Sequence, residues 1–137
     1  MDEKKIHRLY REFLIELEKE LGTGTTYSTD LDRVGKQLFK DEWRGVFAAD
    51  DNLPTEGCFL VNTDKRGGEG EHWLAVRNGY YYDSFGRKAN SFFPGSNFQE
   101  SPDYDAEQAK KEENCGCRCL AWLLCAKYVG KKAMDCL

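Results

Sequence analysis

No apolar run in this chain is long enough to cross a bilayer. The longest, Cys119 to Ala126, falls far short of the ~20 residues a spanning helix needs. An exported protein would open differently, because Met1-Asp2-Glu3-Lys4-Lys5 is charged and leads into an amphipathic stretch. Both absences predict a soluble, intracellular protein that is not secreted and needs no membrane. A dense basic run is missing too: the net charge is -4, and Lys65-Arg66, Arg87-Lys88, Lys110-Lys111 and Lys131-Lys132 are scattered pairs of the kind found on solvated surfaces. That pattern argues against tight nonspecific nucleic-acid binding. No repeat or compositional break marks a second domain. With 137 residues, 40% of them hydrophobic and 13% aromatic, the chain has material for one core, and residues 1–137 are read as a single domain.

Of the six cysteines, none lies between Cys58 and Cys115, and three crowd the start of one apolar run. A disulfide framework is the pattern of small secreted domains, so reduced thiols are expected here.

Ile6, Leu9, Phe13, Leu17 and Leu21 recur at steps of three and four with Glu and Lys between them, which predicts an amphipathic helix over 3–21. Gly22-Thr23-Gly24 ends it. Thr29 with Asp32 reads as a capping signal for a second helix carrying Leu31, Val34 and Leu38. A loop with Trp43, a strand near 58–62, a Gly-rich connection over 64–71 and a hairpin over 72–84 follow. Residues 86–113 read as irregular, with a helical turn from Asp105. Cys115 to Tyr128 reads as the most buried helix. The expected fold class is α+β.

The hairpin has geometric content. Asn78-Gly79 between two β-rich runs signals a two-residue type I′ turn. If Arg77 pairs with Tyr80, then Val76 faces Tyr81, Leu74 faces Asp83 and His72 faces Phe85, and all six of the latter share one face. Asp83 is then diagonal to His72, roughly 7 Å away between backbones, within reach of a carboxylate-imidazole bond. A slip of one residue would put them on opposite faces. Cys115, for its part, opens a helix whose dipole and free amides favour a thiolate. Its own N-H and the amide of Gln108, seven positions earlier, are candidate donors to an oxyanion; Gln99 is the alternative.

In chain order these are His, Asp, Gln, Cys. Together with Gly45-Val46-Phe47, Cys58 to Thr63, Gly67-Gly68-Glu69-Gly70, His72-Trp73, Asp83-Ser84-Phe85-Gly86 and Cys115-Gly116, they make the stretch from about Leu31 to Val129 resemble adenain, the adenovirus-type cysteine protease, and more distantly the SUMO-protease clan. The resemblance implies a papain-like core, with the nucleophile helix packed on a small, mostly antiparallel sheet. It implies an endopeptidase cleaving after small residues, Gly-Gly or Gly-X-Gly, in viral or mobile-element capsid precursors or in ubiquitin-like tails. Its catalytic residues would be His72, Asp83, Gln108 and Cys115. Gly68, Gly70, Trp73 and Gly116 would lie along the substrate, and the enzyme would work as a monomer in host cytoplasm or nucleus or packaged in a virion.

Adenain carries a glutamate where this chain has Asp83, which matches the SUMO-protease type. Only 22 residues follow Cys115, and residues 1–22 form an extra helical extension before the matching core, 23–137. Adenain is activated by a disulfide-bound peptide and by DNA. The cysteine-free segment from 59 to 114 and the acidic net charge support neither activator, and the expected chemistry needs no metal or other cofactor.

Blander readings stand beside these. Asp83 before Ser84-Phe85-Gly86 suits a turn start. Trp73 either shields the site or fills the opposite face of the sheet. Cys119 and Cys125 suit small buried hydrophobes, and His7 a structural role. The Gly67–Gly70 loop lacks the Lys-Ser ending of a phosphate loop. A zinc-binding interaction module using Cys115, Cys117, Cys119, Cys125 or Cys136 with His72 is the rival outside proteolysis, although no second, turn-borne ligand pair is present.

Overall fold

The computed structural model describes residues 2–24, 27–63, 72–84, 99–100 and 114–137. Helix α1 spans Glu3–Leu21 and starts at Asp2, whose carboxylate accepts from the Lys5 amide at 2.9 Å. Its buried residues are Ile6, Tyr10, Leu14 and Leu17, with Leu9, Phe13 and Leu21 flanking them half-covered. The buried stripe is therefore centred one position away from the one read from apolar residues alone. The difference is Tyr10 and Leu14; Tyr10 is 2% exposed, its hydroxyl finding partners inside.

Helix α2 (Ser28–Phe39) begins at Tyr27 and carries no side-chain cap. The expected Thr29–Asp32 cap is thus corrected: Thr29 is already helical, and Asp32 accepts from the Trp43 indole N-H at 2.8 Å and pairs with Lys36 at 3.1 Å. A single 3₁₀ turn, Lys40–Glu42, leads into strand β1 (Trp43–Phe47), where a loop was expected.

The remaining strands are β2 (Cys58–Asn62), β3 (Trp73–Arg77), β4 (Tyr80–Tyr82) and the two-residue β5 (Gln99–Glu100), and the sheet order follows the sequence. β1 and β2 are parallel, β2–β3 and β3–β4 antiparallel, and β4–β5 parallel. The sheet is accordingly mixed and not mostly antiparallel. The parallel β1–β2 pair makes half of that difference.

Arg77 pairs with Tyr80, Val76 with Tyr81 and Ala75 with Tyr82, the register required by a two-residue turn. Both turn residues have positive φ, 47° at Asn78 and 85° at Gly79, as a type I′ turn demands. Gly57 clamps that turn from the adjacent loop. Its N-H donates to Asn78 Oδ1 at 2.8 Å, and its carbonyl accepts from the Asn78 N-H at 2.9 Å.

Helix α3 (Cys115–Val129) is buried from Cys115 through Ala126 and lies between α1 and the sheet; α4 (Lys131–Cys136) follows it. The main core joins α1, α2, α3 and α4 to one sheet face through Leu60, Ala75 and Tyr82, with Tyr82 stacked on Trp122. The other sheet face is a smaller cluster of Phe59, Val61, Leu74, Val76 and Tyr81. Among the described residues, no helix is long and apolar enough to cross a membrane.

Candidate active site

The Asn78-Gly79 turn closes one end of the hairpin, and the open end carries the chemistry. His72 immediately precedes β3 and Asp83 immediately follows β4, one residue beyond the Ala75–Tyr82 pair on its strand. Their side chains meet as the register requires: His72 Nε2 lies 2.8 Å from Asp83 Oδ1. The pair is deeply buried, with the Asp83 side chain fully covered. A buried carboxylate at that distance fixes the ring's orientation and leaves Nδ1 for the next partner.

That partner is Cys115. The N-terminus of α3 arrives at the same end of the sheet, and the backbone of Trp73 docks its first two turns. The Trp73 N-H points at Cys115 Sγ at 3.5 Å, and the Trp73 carbonyl accepts from Cys119 Sγ at 3.3 Å. The Trp73 indole packs against the main core, on the face opposite Leu74 and Val76. What this residue offers Cys115 is therefore its backbone.

The electrostatics separate Cys115 from the other thiols. Burial acts most strongly on it and pushes its pKa up. The hydrogen bond to His72, the Trp73 amide, the imidazole charge and the Gly116 amide together overcome burial, so the thiol sits below its ordinary value. Burial likewise works against a charged His72, but hydrogen bonds to Asp83 and Cys115 outweigh it and hold the imidazole above its ordinary value. The two shifts favour one state, a thiolate beside an imidazolium. Burial pushes Cys117 and Cys125 up to about 12 and Cys58 to about 11, and Cys119 well above its usual range. Burial thus favours the neutral thiol in those four.

The first turn of α3 leaves its amides outside the helical ladder. Its first helical bond runs from the Arg118 N-H to the Asn114 carbonyl at 3.0 Å, so the N-H groups of Cys115, Gly116 and Cys117 have no backbone acceptor within the helix, and that of Gly116 serves the Cys115 thiol. Asn114 occupies the cap position yet makes no side-chain capping bond. Its amide turns away: Nδ2 donates to Glu18 Oε1 at 2.9 Å, and Oδ1 accepts from Arg118 Nε at 3.1 Å. Arg118 Nη1 in turn donates to the Tyr10 hydroxyl at 3.3 Å, and Tyr10 shares a 2.8 Å hydrogen bond with the Tyr82 hydroxyl. Sequence reasoning missed all of these residues. The only local hint was Asn114 standing directly before the helix.

Gln108, Gly68 and Gly70 lie outside the described residues, and of Gln99 only the backbone is described, paired with Tyr80. A cavity of about 480 Å³ beside α1 is lined by Tyr10, Leu14, Glu18 and Arg118 among others and includes none of His72, Asp83 and Cys115. Among the described residues, no three His, Cys, Asp or Glu side chains converge as a metal site. No protein-family model matches this chain, and no relative is found among curated proteins.

Proposed function

We propose that this protein is a cysteine endopeptidase with a papain-like core, in which Cys115 is the nucleophile, His72 the proton carrier and Asp83 the residue that orients it. The observation that carries this reading is the Asp83–His72–Cys115 line. A buried carboxylate holds an imidazole against a thiol at a helix N-terminus, and that thiol alone among those shifted is lowered.

Each group has one task. The Cys115 thiolate attacks the scissile carbonyl carbon, forming a C–S bond while the carbonyl π electrons move onto oxygen. The open amides of the first turn of α3 face that oxyanion, with Gln108 as the proposed second donor. One such donor is worth roughly 3 kcal/mol of transition-state stabilisation. Collapse of the tetrahedral intermediate breaks the C–N bond, and the leaving amine takes the proton from His72. Water then attacks the thioester, His72 accepts the water's proton, and the acid product leaves as the Cys115–His72 pair is restored. Side chains and backbone amides of this chain, with one water, supply every step.

The substrate proposed is a polypeptide cut after Gly-Gly or Gly-X-Gly. The preference for residues without bulk is what the resemblance to adenain implies. Capsid-precursor processing is the first reading. Asp83 as the acidic member favours a second, cleavage of ubiquitin-like tails, because this is the acid of the SUMO-protease type.

A Gly-Gly peptide carrying a fluorogenic amine, offered to the wild type, Cys115→Ala and His72→Ala, tests the proposal. Release by the wild type and its loss in both variants is expected, and a Gly-Gly peptide with a C-terminal thiol-reactive group should label Cys115. Hydrolysis that survives Cys115→Ala would refute it.

A further inference from the structure

The polar chain joining α1 to the site has more order than packing requires. Asn is among the best helix N-caps, and a capping side chain would occupy the first-turn amides of α3. Asn114 does not do this. Its backbone is at φ -97°, ψ 25°, whereas Asp2, which does cap, is extended at φ -80°, ψ 167°. Its side-chain amide is fixed from both ends by a carboxylate acceptor and a guanidinium donor, and only one amide orientation satisfies both.

The polar network meets the site at two residues. Asn114 is bonded directly to Cys115, and Tyr82 directly to Asp83. Between them run Arg118 and Tyr10, all buried, with Glu18 of α1 half-buried at the outer end. A buried network in which every member has a partner holds its residues to one arrangement.

We infer that Glu18, Arg118 and Tyr10 are positioning residues: they tie Asn114 to Tyr82 so that Cys115 stays seated against His72 and Asp83, and they keep Asn114 off the first-turn amides that a substrate oxyanion needs. This rests on the cysteine-protease reading above. It makes α1 a working part of the site in addition to a cover for apolar surface. Without Glu18 the Asn114 amide keeps only its Arg118 anchor, so its oxygen can exchange that bond for the first-turn amides and compete with the oxyanion.

The test uses the full chain with Glu18→Ala, Tyr10→Phe and the conservative Glu18→Gln, none of which removes a large buried group. Iodoacetamide modification of Cys115 is followed against pH by peptide mapping, beside thermal melting and kcat and KM on the Gly-Gly fluorogenic peptide. Glu18→Ala and Tyr10→Phe are expected to keep the fold. Their alkylation midpoint should move up by about one pH unit, a tenfold loss of thiolate on the acid side. kcat should fall with KM little changed, and Glu18→Gln, which keeps an acceptor for Asn114, should restore both. Folded Glu18→Ala and Tyr10→Phe proteins with the wild-type profile and kcat would overturn the inference alone. A wild type whose Cys115 titrates like a free thiol would overturn the protease reading and the inference with it.

Discussion

His72 Nε2 and Asp83 Oδ1 lie 2.8 Å apart although a hairpin of eleven residue steps separates them in sequence. The turn chemistry at Asn78-Gly79 sets that distance. One residue more or less in the turn would carry the carboxylate to the other sheet face. Asp83→Asn should therefore leave the hairpin intact while removing the charge that orients and stabilises the imidazolium. Peptide cleavage is expected to fall on the order of 10²- to 10⁴-fold, the range for losing effective acid-base catalysis, with KM changed much less. Steady-state kinetics on folded protein checks this; activity within a factor of about two would contradict it.

The same pair makes stability depend on pH. The folded His72 pKa is raised despite burial, chiefly through Asp83 and Cys115, so its contribution is complete below the unfolded value of about 6.5 and is lost as pH rises through the folded value. Urea melts across that window should show a decline with rising pH that is smaller in Asp83→Asn. An identical slope in both proteins would contradict the assignment.

The pH-rate profile follows from the opposite shifts of the two reacting groups. Cys115 lies below its ordinary value through His72 and the Trp73 and Gly116 amides, which overcome burial, while His72 lies above its own. The thiolate-imidazolium form is thus populated between the two. A bell-shaped kcat/KM is expected, its acid limb below the ordinary thiol range of about 8.5 and its alkaline limb above about 6.5. A single limb rising near 8.5 would indicate an unactivated thiol.

Packing at the other end of the sheet from the site, where Trp43 lies beside Cys58, is also testable. Gly35 on α2 has no room for a side chain, since an added Cβ would overlap the Trp43 indole, which is held by its bond to Asp32. Gly35→Ala should destabilise by about 1–3 kcal/mol, the usual cost of overpacking. Chemical denaturation measures it, and a neutral result would mean that Trp43 moves freely.

Deleting residues 1–22 removes Ile6, Tyr10, Leu14 and Leu17 from the main core. Each fully buried apolar side chain is worth roughly 1.5–3 kcal/mol, and the exposed face of α3 would be left uncovered. The truncated protein is expected to aggregate. A soluble, monomeric truncation with an unchanged circular-dichroism spectrum would remove that role for α1.

What could be read from the sequence divides along physical lines. The Asn-Gly turn fixed the hairpin register, and alternation beyond it placed His72 and Asp83 together, because local turn geometry propagates along a strand two residues at a time. α1 and α3 were legible from apolar spacing and from an unbroken apolar run. β1 was not, because Arg44 and Gly45 interrupt its alternation and most of the strand is only half-covered. α4 was missed because six residues carry too little periodicity. The Glu18–Asn114–Arg118–Tyr10–Tyr82 chain has no sequence signature at all. Its bonds join residues 72 to 108 positions apart, apart from the one turn between Asn114 and Arg118.

The central claim is that Cys115 and His72 form an activated pair, and the alkylation rate of every cysteine against pH, in wild type and His72→Ala, tests it most directly. Cys115 should react fast well below pH 8, Cys58, Cys117, Cys119 and Cys125 should stay unreactive there, and His72→Ala should abolish the low-pH reaction. Cys115 modification that follows an ordinary thiol curve near 8.5, unchanged by His72→Ala, would contradict the account.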